Sequence, residues 1–182
     1  NFVYRLASIG VIDGSEQDGQ WVYRPQHNIT RQEFIKLLVA ASEIPLSKQA
    51  LPVTFEDIGE AGAWAVPYLS TALEREWLSG TVVNGQHLLE PRRDISRAEA
   101  AVLVDRLLKS TMADYLQNIS GAEQEFSDSA DIPEWAAEAI QSLLNNGILS
   151  GYPDGSFRSQ MAITREEAAS IIMHMLESIY LE

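Results

Sequence analysis

A short phrase that occurs three times at nearly constant spacing constrains the fold of this chain more than any other feature. The three copies are Thr30–Glu33, Ser96–Glu99 and Thr164–Glu167, and each reads Ser or Thr, then Arg, then any residue, then Glu. Consecutive copies begin 66 and then 68 residues apart. A repeat of this length predicts similar structural units that pack against one another, so that a site in one unit has counterparts in the others.

Each copy of the phrase has the form of a capping box, which starts a helix. The Ser or Thr hydroxyl accepts a hydrogen bond from the fourth residue's N–H, and the Glu carboxylate accepts one from the N–H of the Ser or Thr. An isoleucine precedes each cap, namely Ile29, Ile95 and Ile163, and apolar residues at helical spacing follow. Folding alone therefore explains every position of the phrase except the arginine.

The repeated arginine is the leading candidate for ligand binding. Arg31, Arg97 and Arg165 occupy the first position of the predicted helices, where a cation interacts unfavourably with the helix dipole. A residue that recurs three times against the local electrostatics calls for another explanation. The structural alternative is an ion pair between each arginine and a carboxylate of a neighbouring repeat.

A second pattern precedes the phrase and widens the repeated unit. Phe55–Asp57 and Trp64 recur 71 residues later as Phe126–Asp128 and Trp135. In both copies, apolar residues at helical spacing follow the tryptophan, and Gly147 after the later stretch is typical of a left-handed helix C-cap. The first copy lacks these opening elements.

The pattern predicts an all-α protein of three helix–loop–helix units with little or no sheet. The unit boundaries are 1–44 (unit 1), 45–110 (unit 2) and 111–182 (unit 3). Polar loops with turn residues such as Asn84-Gly85 connect the two helices of each unit.

Composition excludes several classes of function. The net charge of −13 disfavours nucleic acid and anionic lipid as partners, so we expect neither nucleic acid nor membrane binding. No apolar run is long enough for a membrane span, and residues 1–20 show no targeting segment. The absence of cysteine excludes disulfides, thiolate metal sites and thiol catalysis.

The sequence predicts no catalytic residue, no metal site and no cofactor. His27, His87 and His174 share no spacing typical of a metal triad, and the segment 13–18 lacks the ordered ligand spacing of a calcium loop. Counting alone does not exclude a carboxylate pair of the glycosidase type, but acidic residues on surface helices are usually a solvated face.

The order of motifs resembles the S-layer homology domain. That order is Phe-x-Asp, Trp-Ala, Gly-Ile-x-x-Gly, Asp-Gly-x-Phe and Ile-Thr-Arg-x-Glu-Ala-Ala. Unit 3 carries it almost throughout, over residues 126–169. The matching positions in the first two units are 10–14, 23–25, 29–33, 55–57, Trp64-Ala65, Gly80 and 91–101.

The resemblance implies a fold, a function and a location. In that family three modules usually pack as a pseudo-threefold spindle around a central helical bundle. The modules anchor surface proteins non-covalently to secondary polysaccharide of the bacterial cell wall, which often carries a pyruvate ketal. The resemblance thus implies a secreted, wall-associated, non-enzymatic protein with cell wall polysaccharide as partner, and it leaves other surface-layer subunits as a further candidate partner.

The resemblance also implies that the repeated arginines bind ligand in grooves between modules. A pyruvate ketal presents a carboxylate, which a guanidinium binds through two hydrogen bonds, and free N–H groups of a helix N-terminus add a second attraction. The other candidate ligand-binding residues lie at repeated motif positions: Gly14, Gly80, Gly151, Trp64, Trp135, Asp57 and Asp128.

Two interpretations stay open for several of these residues. Turn geometry explains the glycines as well as a close approach of ligand does. Trp64 and Trp135 are candidates for a flat platform under a sugar, as are Trp77, Trp21 and Tyr152. Their place near the start of an amphipathic helix nevertheless favours the core for Trp64 and Trp135.

Differences between the copies predict unequal grooves. Glu166 puts a negative charge beside Arg165, and unit 1 lacks its opening segment. Arg97 is therefore the arginine whose surroundings are least compromised. Two other hypotheses remain: a protein-interaction or lattice-assembly module in which the arginines bridge repeats, and a wall-active hydrolase.

Overall fold

Six α-helices carry the fold in the described part of the chain. The computed structural model describes residues 2–12, 14–17, 19–111 and 124–180. The helices are α1 (Phe2–Ser8), α2 (Arg31–Ala41), α3 (Val66–Glu74), α4 (Arg97–Thr111), α5 (Glu134–Asn145) and α6 (Arg165–Tyr180). Each unit contributes two of them, in the predicted order.

Strands are confined to two short antiparallel hairpins in the described part of the chain. β1 (Ser15–Gln17) pairs with β2 (Gln20–Val22), and β3 (Thr81–Val83) pairs with β4 (Gln86–Leu88). Asn84 and Gly85 connect β3 to β4 with φ of 51° and 81°, the type I′ geometry that fits the twist of a hairpin. The prediction of an all-α fold with little sheet is confirmed.

The predicted capping boxes form at the starts of α2, α4 and α6. The Glu99 N–H donates to Ser96 Oγ at 3.2 Å, and the Ser96 N–H donates to Glu99 Oε2 at 2.9 Å. Thr164 and Glu167 make the same two bonds at 3.2 and 2.8 Å. The Thr30 capping box at the start of α2 is also complete.

The predicted C-cap glycine after α5 also forms. Gly147 has φ +69°, and its N–H donates to Leu144 O at 3.0 Å. This left-handed residue ends the helix and directs the chain into the loop of unit 3.

Three isoleucines form the centre of the molecule. The Ile29 N–H donates to Ile163 O, the Ile163 N–H to Ile95 O, and the Ile95 N–H to Ile29 O, each at 3.1 Å. All three side chains are buried in the core. A closed triangle of backbone hydrogen bonds requires three equivalent units around one axis, so it defines the pseudo-threefold axis of the fold.

The first helix of each unit packs against the second helix of the unit before it. α3 lies on α2, and α5 lies on α4. α1 lies on α6, which closes the ring, and Arg5 Nη1 of α1 is 2.6 Å from Glu177 Oε1 of α6. The units therefore interlock around one continuous core, and each depends on its neighbour to cover its apolar face.

None of the described helices combines the length and the apolar character needed to cross a lipid bilayer.

Candidate ligand-binding grooves

Three grooves run between the units at the starts of the central helices α2, α4 and α6. Groove 1 has a volume of about 370 Å³, groove 2 about 340 Å³ and groove 3 about 190 Å³. The residues that define groove 1 are Gly14, Glu33, Lys36, Trp64 and Arg165. Those that define groove 2 are Arg31, Gly80, Glu99, Arg106 and Trp135. Those that define groove 3 are Arg97, Gly151, Tyr152, Glu167 and His174.

Each groove combines residues of different units in the same way. Groove 1 takes its glycine, Gly14, from unit 1, its arginine, Arg165, from unit 3 and its tryptophan, Trp64, from unit 2. In groove 2 the glycine, Gly80, comes from unit 2, the arginine, Arg31, from unit 1 and the tryptophan, Trp135, from unit 3. No tryptophan of the described chain lines groove 3. The interlocked ring thus brings together side chains that lie far apart in sequence.

Trp64 and Trp135 stand exposed at the grooves. Their exposed fractions are 49% and 59%, so the expectation that they belong to the core is wrong. Trp64 lies just before α3, and Trp135 lies in the first turn of α5. These positions place Trp64 at groove 1 and Trp135 at groove 2. Lys36 Nζ lies 5.9 Å from the ring centroid of Trp64.

The other candidate aromatic platforms have different positions. Trp77 is fully buried, and its Nε1 donates to Ser110 Oγ at 2.7 Å, so it belongs to the core. The side chain of Trp21 lies outside the described part of the structure. Tyr152 is partly buried and lines groove 3.

Arg31 and Arg165 form ion pairs with cap glutamates of neighbouring units. Arg31 Nη1 lies 2.7 Å from Glu99 Oε1, and Arg165 Nη1 lies 3.0 Å from Glu33 Oε1. In both cases Nε donates to a loop carbonyl, at 3.1 Å to Leu89 O and at 2.9 Å to Tyr23 O. Arg31 and Arg165 therefore form the ion pairs between repeats that were the alternative to ligand binding, and their charge is compensated.

The Glu99 carboxylate is the most strongly held of the groove acids. Burial alone would raise its pKa, but hydrogen bonds from Arg93 and from the Ser96 N–H, with the charge of Arg31, lower the pKa of Glu99 to about 2. Arg93 Nη2 lies 2.6 Å from Glu99 Oε1. Glu99 thus stays ionised at neutral pH and ties units 1 and 2 together.

Arg97 departs from this pattern. The residue is only 7% exposed, its Nη2 donates to Ser150 O at 2.6 Å, and its Nε has no hydrogen-bond partner among the described residues. The guanidinium carbon lies 5.0 Å from the ring centroid of Tyr152 and 4.9 Å from that of Phe157. None of the described carboxylates forms an ion pair with it, because the Tyr152 hydroxyl donates to Glu167 instead.

The N–H groups at the helix starts are not free for an anion, contrary to the sequence-based expectation. The Arg31 N–H donates to Arg93 O and the Arg97 N–H to Met161 O, each at 2.9 Å, and the next residue of each helix donates to the same neighbouring loop. The third N–H of α4 donates to the cap hydroxyl. Neighbouring units use these donors, so side chains supply the groove contacts.

Asp57 and Asp128 support loops and do not line the three grooves. The two carboxylate oxygens of Asp57 accept hydrogen bonds at 2.8 and 2.7 Å from the N–H groups of Leu89–Glu90. Asp128 accepts two bonds of 2.7 Å from Phe157–Arg158. The second donor of each pair has a left-handed backbone, with φ of 50° and 60°. Each aspartate thus holds in place the loop that leads to a capping phrase.

Packing against phenylalanine requires the groove glycines Gly80 and Gly151. A Cβ on Gly80 would lie 2.3 Å from Phe55 Cε1, and one on Gly151 would lie 2.4 Å from Phe126 Cε1. Neither glycine has a left-handed φ. Close packing, and not turn geometry, is therefore the structural reason for these glycines, while their backbone lines the grooves.

Sequence reasoning missed Lys36, Arg106 and a second role of the cap glutamates. Lys36 follows Glu33 by three residues and Arg106 follows Glu99 by seven, which places each on the same helix face as the glutamate. That spacing was the available signal. Glu166, whose charge the sequence set beside Arg165, does not line groove 1, and its carboxylate accepts a bond of 2.9 Å from Gln26.

Comparison with known proteins identifies the family. A model of the S-layer homology domain matches residues 54–101 and 125–169, which together are slightly more than half of the chain. The chain belongs to the S-layer homology domain family. The resemblance seen in the motifs is confirmed, and S-layer homology domains account for the two matched segments in units 2 and 3.

Proteins similar to this chain include a cell surface glycoprotein, an anchoring protein and an outer membrane protein. The chain is 33% identical over 166 residues to cell surface glycoprotein 1 of Acetivibrio thermocellus, covering 85% of this chain and 7% of that protein. It is 32% identical over 163 residues to the cellulosome-anchoring protein of the same organism, covering 86% of this chain and 34% of that protein. The outer membrane protein SlpA of Deinococcus radiodurans is 45% identical over 51 residues, which are 27% of this chain and 4% of SlpA.

The chain spans at most about a third of the length of these three relatives. Family membership places it outside the cell, associated with the cell wall, among segments that serve in cell-surface anchoring.

Proposed function

We propose that this chain anchors its protein by non-covalent binding of an acidic secondary cell wall polysaccharide, with pyruvate ketals as the charged groups, in the grooves between units. One observation carries the proposal. Two tryptophans at the same repeat position, each about half exposed, stand at grooves that also hold a repeated arginine and a bare glycine backbone. Folding explains the arginine pairs and the glycines, but it does not explain why two large indole rings face water.

An exposed indole next to polar side chains suits a sugar ring. The apolar face of a pyranose packs on an aromatic ring, while its hydroxyl groups need polar partners at the edge. In groove 1 those partners are Lys36, Glu33 and Arg165, and in groove 2 Arg106 takes a comparable place on α4. Both grooves are open to solvent, as a polymer that passes through them requires.

Local charge favours an acidic polymer in spite of the net charge of −13. Groove 1 is lined by Arg24, Lys36 and Arg165 against Glu33, and groove 2 by Arg31 and Arg106 against Glu99. Exposed charges more than about 10 Å away are largely screened at ~0.1 M salt, so the side chains of the groove itself, and not the net charge of the chain, set the potential that a bound group meets.

Repetition of the groove compensates for weak individual contacts. One charge-assisted hydrogen bond contributes about 1.5–3 kcal/mol. A polymer that occupies two or three grooves gains about 10²–10⁴-fold in effective affinity, because the second contact is intramolecular. Binding by several modest sites suits an anchor, which must hold a repeating polymer under changing conditions.

Binding without catalysis fits the state of the groove acids. Glu33 and Glu99 each accept a cap N–H and an arginine, and Glu167 accepts a cap N–H and the Tyr152 hydroxyl. Such engaged carboxylates are poor general acids or bases, since a catalytic carboxyl must exchange protons with substrate.

The tryptophans provide the first test of the proposal. We expect Trp64→Ala and Trp135→Ala each to weaken binding to purified pyruvylated wall polysaccharide by about tenfold, because each removes one stacking platform. Tyr4→Ala is the matched control, since Tyr4 is an exposed aromatic residue that lines none of the three grooves. Isothermal titration calorimetry measures the affinities.

Unchanged affinity in the double variant Trp64→Ala/Trp135→Ala would contradict the proposed sites. Sedimentation of the wild-type chain without polymer separates the competing function, since concentration-dependent self-association would instead favour a lattice-assembly module.

A further inference from the structure

The three cap glutamates use their two oxygens in a fixed way, with one exception. In every capping box Oε2 accepts the N–H of the cap residue, at 2.9 Å for Glu33 and Glu99 and 2.8 Å for Glu167. Oε1 of Glu33 and of Glu99 accepts an arginine of the neighbouring unit. Oε1 of Glu167 accepts the hydroxyl of Tyr152. The same oxygen therefore has a cationic partner in grooves 1 and 2 and a neutral one in groove 3.

This exchange leaves Arg97 with unused hydrogen-bonding capacity. The one hydrogen bond of its side chain to a described residue runs from Nη2 to Ser150 O at 2.6 Å, and its Nε donates to none of the described residues. Arg31 and Arg165 use both Nε and Nη1. Arg97 is only 7% exposed, and a buried guanidinium without an ion pair is costly unless a further partner arrives; a carboxylate is the partner that matches its geometry.

Tyr152 reaches Glu167, in place of an arginine, because of the length of its side chain and its position in the loop. It follows Gly151, and the residues that follow the equivalent glycines Gly80 and Gly14 are Thr81 and Ser15, whose side chains are much shorter. Arg158 lies 4.1 Å from the ring centroid of Tyr152, on which Arg97 also stacks.

The Tyr152 hydroxyl remains a donor to Glu167 at neutral pH. Burial raises the pKa of Tyr152, and its hydrogen bond to the Glu167 carboxylate raises it further. Arg158 Nη2 is held in turn by Asp154 Oδ2 at 2.7 Å, which keeps the stack on Tyr152 in place.

We propose that Tyr152 is the specificity-determining residue of groove 3. Because its hydroxyl occupies Glu167, Arg97 is left to bind a carboxylate of the ligand directly. This role rests on the function proposed above. Groove 3 is about half the volume of groove 1 and has no described tryptophan at its edge, so it accepts the small acidic group and not a stacked sugar ring. Grooves 1 and 2 bind the sugar on tryptophan, and a carboxylate reaches their arginines only in competition with a glutamate.

Removal of one hydroxyl tests the proposal. In Tyr152→Phe the ring and its stacking on Arg97 remain, but Glu167 Oε1 is released to pair with Arg97, as Glu99 pairs with Arg31. We expect groove 3 to lose at least tenfold in affinity for a carboxylate. In Tyr152→Phe/Glu167→Gln the glutamine keeps the capping bond but carries no charge, so affinity should return to within about threefold of wild type.

The probe is a glycoside of a pyruvate-ketal amino sugar, with its neutral methyl ester as the ligand control. Titration followed through the ¹⁵N–¹H signal of Arg97 Nε reports groove 3 alone. We expect the acid, and not the ester, to shift this signal in wild type and in the double variant but only weakly in Tyr152→Phe. Tyr68→Phe, which removes a hydroxyl away from the three grooves, should behave as wild type.

The outcomes distinguish this proposal from the function on which it rests. If the acid binds but leaves the Arg97 signal unchanged, or if the double variant is no better than Tyr152→Phe, the role of Tyr152 is overturned while the anchoring function stands. If neither the probe nor the pyruvylated polymer binds to wild type at all, both proposals are overturned.

Discussion

At the scale of single residues, the carboxylate of Glu99 has two roles, one in its own helix and one in the contact with the neighbouring unit. Glu99 caps its own helix through Oε2 and compensates Arg31 of the neighbouring unit through Oε1. The arginine at the first helical position, which opposes its own helix dipole, is thereby stabilised by another unit. The resulting pair is nearly buried, with 5% of the Arg31 side chain and 16% of the Glu99 side chain exposed.

Glutamine at position 99 separates the two roles. Glu99→Gln keeps the cap but removes the charge, and we expect it to lower the free energy of unfolding at pH 7 by about 1–3 kcal/mol. Glu138→Gln is the control, since Glu138 pairs with Lys109 at the surface and its loss should cost well under about 1 kcal/mol. Urea denaturation measures both.

The same variant carries a pH signature. The pKa of Glu99 is lowered to about 2 in the folded chain, so its stabilising effect is complete above the unfolded value of about 4.3 and is lost as the pH falls towards 2. Wild type should therefore lose more stability between pH 5 and pH 2.5 than Glu99→Gln does. Parallel stability curves for the two proteins would contradict this role of Glu99.

Residues whose partners lie close in sequence were predictable, and those whose partners come from another unit were not. Ser96 and Glu99 make a capping box whatever surrounds them, so the phrase alone predicts it. The exposure of Trp64 depends on where unit 1 lies, which no local pattern encodes. The lack of an ion pair at Arg97 depends on Tyr152, which lies 55 residues away in sequence.

At the scale of elements, the three central helices are equivalent in place but not in composition. The position eight residues after the arginine is Val39 in α2 and Met173 in α6, both buried, but Asp105 in α4. Asp105 is only 4% exposed, and its Oδ1 has no hydrogen-bond partner in the described structure. Lys109 Nζ lies 3.0 Å from Asp105 Oδ2.

The repeat itself suggests how to remove this cost. We expect Asp105→Val to raise the free energy of unfolding by about 1–2 kcal/mol, because it replaces a buried, half-paired carboxylate with the residue that unit 1 carries. Lys109 keeps Glu138 as its partner, at 2.7 Å. A lower urea midpoint for Asp105→Val would show that the ion pair outweighs the burial cost of the carboxylate.

At the scale of the whole molecule, the ring is closed by contacts between its first and last helices. Leu6 of α1 is fully buried, as is Leu143 at the equivalent position of α5, while α3 carries Ala72 there. The all-α class and the three units were predictable from the repeat and the family resemblance. The packing of each outer helix on the preceding unit was not, because the apolar faces of the helices look alike.

Closure makes the ring one cooperative structure. We expect Leu6→Ala and Leu143→Ala each to destabilise the protein by about 2–4 kcal/mol and to leave a single unfolding transition. Circular dichroism and tryptophan fluorescence should give the same midpoint. Separate transitions in which units 2 and 3 outlast unit 1 would show that the ring unfolds in parts.

Binding of an acidic wall polymer in the grooves is tested most directly by calorimetric titration of the wild-type chain. The ligands are one purified wall polysaccharide before and after chemical removal of its pyruvate ketals. We expect the pyruvylated polymer to bind at least about tenfold more tightly, with the difference shrinking as salt is raised. Equal affinity for the two polymers at low salt would contradict the binding of pyruvate ketals in the grooves.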